Sequence, residues 1–194
     1  MCLDSDAFFI RPFRRQDYLW RDNIPYTIMD EGHELLGMAL SSGKDHVVQD
    51  FLRDAQRLQN QFERQGKVYS FAPFPVLWHR AVWESLDTQF LSPHGMSLLD
   101  AILKISVESH WYGEALLRYQ AIPLMPCQPL FKVYHYAWQL DKDRRAHIGA
   151  EQLAQLYSGV IYQSAWEREM DWPREGGNWL SRTARRVRRG LGRM

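Results

Sequence analysis

Apolar residues recur at helical spacing between Asp45 and Gln65: Val47, Val48, Phe51, Leu52, Ala55, Leu58 and Phe62. Asp45 can cap that stretch and Gly66 follows as a stop, so the pattern predicts a helix there. Pro73 and Pro75 open a second helix, roughly 76–90, carrying Leu77, Trp78, Ala81, Val82, Trp83 and Leu86. After a turn at Ser92 to Gly95, a third helix is expected over 97–105 and a fourth over 109–119. A fifth is expected from Ala150 to Glu169.

Other stretches lack that period. Leu3 and Ala7 to Ile10 form a short apolar run ended by Pro12, which reads as a buried strand. Ile24 to Met29 reads as an edge strand, since Pro25 cannot donate to a ladder. Lys67 to Phe71 predicts a short strand, and Phe131 to Trp138 alternates and is rich in β-formers. Residues 11–21 read as loop or short helix, and 30–44, with Gly32, Gly37 and Gly43, as a flexible loop. The segment 122–130 holds three prolines and should be extended, while 141–149 reads as a charged turn.

The 194 residues suit one domain with a tail, and 45% apolar residues with eight Trp can build a substantial core. A formal net charge of +1 argues against wholesale nucleic-acid binding. The charge is uneven, because the last fourteen residues hold six Arg and no acid. Leu180, Ala184, Val187 and Leu191 line up at helical spacing among them, after a linker-like stretch from Asp171 to Gly177. Such a segment either contacts an anionic membrane surface or is a solvated cationic tail. Cys2 and Cys127 have no metal spacing, and no apolar run is long enough to span a bilayer. These features lead us to expect a soluble cytoplasmic protein without a disulfide framework.

One pair of acids carries the sharpest chemical signal. If Ser5 is extended, Asp4 and Asp6 point to the same side of the backbone. Two like charges in one small site call for a cation or strong donors between them, and hard cations such as Mg2+ or Mn2+ also hold phosphates. The same two residues fit turn or capping positions equally well. A second Asp-x-Asp, Asp141 to Asp143, has no strand before it and reads as a solvated turn.

Leu3 to Phe13, with Asp4-Ser5-Asp6 followed by apolar residues and Arg11-Pro12-Phe13, resembles the Asp-x-Asp strand of GT-A glycosyltransferases. Phe71 to Leu77, Val107 to Glu114 and Pro129 to Tyr136 resemble, in order, later blocks of a bacterial GT-A-like family of unknown substrate, the DUF6492-like family. Together these blocks span about two thirds of the chain.

The resemblance implies an α/β fold: a partial GT-A-like, Rossmann-like sheet with several helices. Residues 1–170 would be the C-terminal part of such a domain and 171–194 a linker and basic tail. The strands and the base- and ribose-binding loops that precede Asp-x-Asp in a complete domain would then be absent from this chain. It also implies a metal-dependent, hexosyltransferase-type enzyme using a nucleotide-sugar donor and a glycan or lipid-linked acceptor. Mn2+ or Mg2+ on Asp4 and Asp6, with Ser5 between them, would clamp the diphosphate. His135 would be a third metal ligand, or else a packed, hydrogen-bonded histidine. Glu108 would be the general base, or an ordinary helix N-terminal carboxylate. His110, Tyr112, Glu114 and His79 would contact acceptor or sugar. The competing reading is a non-catalytic interaction domain that keeps the family's core without a nucleotide pocket.

Overall fold

The computed structural model describes residues 6–21, 23–44, 47, 52–72 and 75–163. Asp4, Ser5 and the basic tail lie outside them. The described part is a mixed α/β structure, rich in helix, with three small sheets.

The strands are β1 (Ala7–Phe9), β2 (Leu19–Trp20), β3 (Ile24–Pro25), β4 (Thr27–Ile28), β5 (Pro126–Cys127), β6 (Phe131–Tyr134) and β7 (Gly159–Tyr162). The α-helices are α1 (His33–Leu40), α2 (Arg53–Gln61), α3 (Arg80–Leu86), α4 (Leu98–Lys104), α5 (Glu108–Tyr119), α6 (Ala137–Arg145) and α7 (Ala150–Leu153). The largest sheet has the order β1-β7-β6, with β1 antiparallel and β6 parallel to the central strand. β2 pairs with β3 antiparallel, and β4 pairs with β5 in parallel.

Gly159 explains how β1 and β6 close on β7. Its register partners are Phe9 on one side and Phe131 on the other. With no side chain between them, the two rings meet edge to face with centroids 5.2 Å apart. A Cβ on Gly159 would stand 2.3 Å from the Phe131 ring and 2.6 Å from the Phe8 carbonyl. On the opposite face Tyr134 stacks on Tyr162, its register partner, at 5.5 Å.

The helical body packs α2, α3 and α5 around Trp111, which is fully buried and donates its indole N–H to the Ile105 carbonyl at 3.0 Å. Phe62 stacks on Phe90 at 4.2 Å beside it. Helix α3 runs on as a wider π-type stretch to Leu91 and a 3-10 turn at Ser92–His94, ending on left-handed Gly95. Pro93 has no N–H for the Gln89 carbonyl four residues back. The Tyr119 hydroxyl donates to that carbonyl instead, at 3.2 Å. Helix α4 begins with a reciprocal capping box between Ser97 and Asp100.

Helices α4 and α5 follow the sequence pattern. The strand expected over 131–138 ends at Tyr134 and gives way to helix α6 at Ala137, the edge strand expected over 24–29 is split between β3 and β4 in different sheets, and the helix expected from 76 begins at Arg80. Four other stretches depart further. The expected flexible loop at 30–44 contains helix α1, bracketed by left-handed Gly32 and Gly43. The expected charged turn at 141–149 is largely helix α6, and only half of its Asp-x-Asp is solvated: Asp141 is exposed, whereas Asp143 is buried and accepts the Tyr134 hydroxyl at 2.8 Å. The expected helix from Ala150 stops at Leu153 and the chain returns as strand β7. The segment 67–71 contributes a single bridge, Asp30 to Ser70, in place of a strand. Among the described residues, no helix is long and apolar enough to cross a membrane.

Candidate functional site

Register brings the two ends of the sequence together at one edge of the main sheet. The Tyr162 N–H donates to the Asp6 carbonyl at 3.2 Å, and Tyr162 is also the register partner of Tyr134. One step further, the Gln163 N–H donates to the Tyr134 carbonyl at 3.0 Å, just before His135. Asp6, Gln163 and His135 therefore flank the same end of three adjoining strands. Asp4 and Ser5 lie outside the described residues.

His135 is buried beside the Gln163 side chain, which favours its protonated form. Burial lowers its pKa to about 4, with the nearby Lys132 cation acting in the same direction. The imidazole is therefore neutral at ordinary pH, the form that coordinates metals. Among the described residues no group of three His, Cys, Asp or Glu side chains that could hold a metal ion comes together.

Helix α5 carries the other candidates. Glu108 occupies its first turn and is partly exposed, in the place where the helix dipole favours an anion. His110 is buried, its Nδ1 accepts the Phe71 N–H at 3.4 Å, and burial lowers its pKa to about 4. Tyr112 accepts the His79 N–H at 2.9 Å, and burial raises its phenol to about 12. The Glu114 carboxylate is buried against the Arg64 guanidinium, which also lies over the Tyr69 ring. His79 caps α3 by accepting the Ala81 N–H at 3.2 Å. His110, Tyr112 and Glu114 thus face the helical body and bind it together. Tyr112 also lines a small recess with Ser109, Tyr26, Thr27, Phe71 and Val76.

The polar cluster on the α1 face of β6 is not among the residues singled out from the sequence. Lys132 is only 3% exposed. Its ammonium meets the Glu34 carboxylate of α1 and lies 3.6 Å from Asp143 of α6. The Tyr157 hydroxyl donates to the other Glu34 oxygen at 2.9 Å. Burial lowers the Lys132 pKa while Asp143 opposes the shift; burial and Asp143 both raise that of Tyr134. The alternation of Lys132 and Tyr134 is the one sequence signal that puts both on a single face.

No family model, no curated protein and no solved structure matches this chain.

Proposed function

We propose that this chain is a metal-dependent glycosyltransferase of the GT-A type, or the acceptor-side part of one. The observation that carries this reading is that Asp6 and His135, from distant parts of the sequence, both lie at one end of the β1-β7-β6 sheet. In this reading Asp4, Asp6 and His135 hold Mn2+ or Mg2+, and a partial GT-A-like sheet underlies the site. The ion supplies charge neutralisation for the departing nucleoside diphosphate. Glu108, at the mouth of α5, takes the proton from the acceptor hydroxyl. The donor is a nucleotide-sugar and the acceptor a glycan or lipid-linked hydroxyl, with the basic tail resting on an anionic membrane. His79 and Tyr112 stand between α3 and α5, toward the acceptor side.

Thermal melting tests it. Mn2+ with a nucleoside diphosphate raises the melting temperature, and Asp6→Ala removes the rise. A rise that survives Asp6→Ala, or no rise at all, counts against the proposal.

One observation favours a second reading, a non-catalytic interaction domain built on the same core. His110, Tyr112 and Glu114 are engaged inside the helical body, where they make structural contacts. That reading predicts no nucleotide binding with either metal.

A further inference from the structure

The Lys132 amine and the Tyr157 hydroxyl converge on one carboxylate. Lys132 donates to Oε1 of Glu34 and Tyr157 donates to Oε2, so each oxygen has its own donor. The lysine is almost wholly buried, whereas the Glu34 side chain is 46% exposed. The cation belongs to the floor of the sheet and the anion comes to it from outside.

Glu34 sits in the first turn of α1, and that helix has a glycine in the left-handed region beyond each end, Gly32 at φ +75° and Gly43 at φ +67°. These are points where the backbone turns freely. Further α1-segment contacts with this face are Met38 sulfur with Lys132 at 3.6 Å, Ser41 with Lys142, and Leu35 and Ala39 on Tyr136 and Trp138.

We propose that Lys132 and Tyr157 form an oxyanion-binding cradle that the chain fills with its own Glu34, and that a ligand's carboxylate or singly charged phosphate group displaces Glu34 and swings α1 aside. The charge of the cradle sets the ligand class. Asp143 lies beside the ammonium and already offsets part of its charge. A group carrying one negative charge replaces Glu34 without adding another, while a fully ionised phosphate would crowd Asp143. The cradle shares no residue with the proposed metal site, although the Lys132 cation lies near His135.

The test is thermal melting of the full chain carrying Glu34→Ala, in sodium acetate, sodium phosphate near pH 6 and sodium chloride at matched ionic strength. Acetate raises the melting temperature of the variant by about 2–4 °C over chloride once it is several-fold above its dissociation constant. Adding Tyr157→Phe or Lys132→Met to the variant removes the rise. A rise in acetate alone assigns the cradle to carboxylates; an equal or larger one in phosphate assigns it to phosphate groups. The wild-type chain gives a second measurement that needs no variant. Amides of α1 exchange with solvent faster in acetate than in chloride, while those of α5 do not change. The proposal is overturned if neither protein distinguishes acetate or phosphate from chloride, or if the rise persists without both Lys132 and Tyr157.

Discussion

Arg64 grips Glu114 through two hydrogen bonds, Nε to Oε2 at 2.7 Å and Nη2 to Oε1 at 2.9 Å. Glu114 is 1% exposed and Arg64 14%, so the loop after α2 is pinned to the middle of α5 by a paired charge with little water around it. Removing one partner leaves the other buried alone. Glu114→Ala therefore lowers stability by about 3 kcal/mol. Urea unfolding of the variant measures this, and a loss below about 1 kcal/mol would mean that water reaches Arg64 freely.

Gly159→Ala tests the closure of the main sheet. The added carbon meets a backbone carbonyl as well as the Phe131 ring, and a carbonyl in a paired strand cannot turn away. We expect a loss of about 3 kcal/mol or more, beyond the usual cost of overpacking a core. Gly149→Ala is the matched control, since its carbon would meet only Gln152 at 3.5 Å. Guanidinium titrations should show the control within about 0.5 kcal/mol of wild type.

Acid should unfold the chain through its buried imidazoles. His110 has a folded pKa of about 4 against an ordinary 6.5, so the unfolded chain takes up the proton first. Its contribution is whole above pH 6.5 and is lost as the pH falls from there toward 4, about 3 kcal/mol in all. His135 acts in the same direction over the same interval. His110→Asn keeps an acceptor where Nδ1 stands but does not titrate. Stability measured at pH 7, 5.5 and 4 should fall less steeply in that variant than in wild type.

The start of α4 offers a smaller, local test. Ser97 accepts the Asp100 N–H at 3.2 Å and its own N–H donates to the Asp100 carboxylate at 2.9 Å. Ser97→Ala removes one half of this exchange and should cost about 1 kcal/mol, read as a shift in urea midpoint with unchanged slope.

The sequence made some elements legible and hid others, for reasons visible at particular residues. The α5 helix is plain because its register is local and long. Helix α1 is hidden by Gly32, Gly37 and Gly43, yet only the two flanking glycines need their freedom, and Gly37 lies inside the helix. Helix α6 is hidden because its charges look solvated, whereas Asp143 is held by Tyr134 and Lys132 from β6. Periodicity cannot report a polar residue whose partners come from another element. The strand at Gly159, Val160 and Ile161 has a local signal in its β-branched pair, which a single helix expected over 150–169 passes over. Of the candidate site, the residue types at Asp6 and His135 were legible, and their arrival at one end of the same sheet was not. The engagement of Glu114 depends on Arg64, fifty positions away, and no short-range pattern announces it.

The place of β7 in the middle of its sheet has a consequence for biosynthesis. A ribosome releases Phe9 and then Phe131 well before Gly159 emerges, and both outer strands must wait for the strand that joins them. Until then β1 carries exposed aromatic rings and an open ladder, the kind of edge that chaperones hold. A nascent chain stalled just short of Gly159 would have its helical body assembled and its sheet still missing.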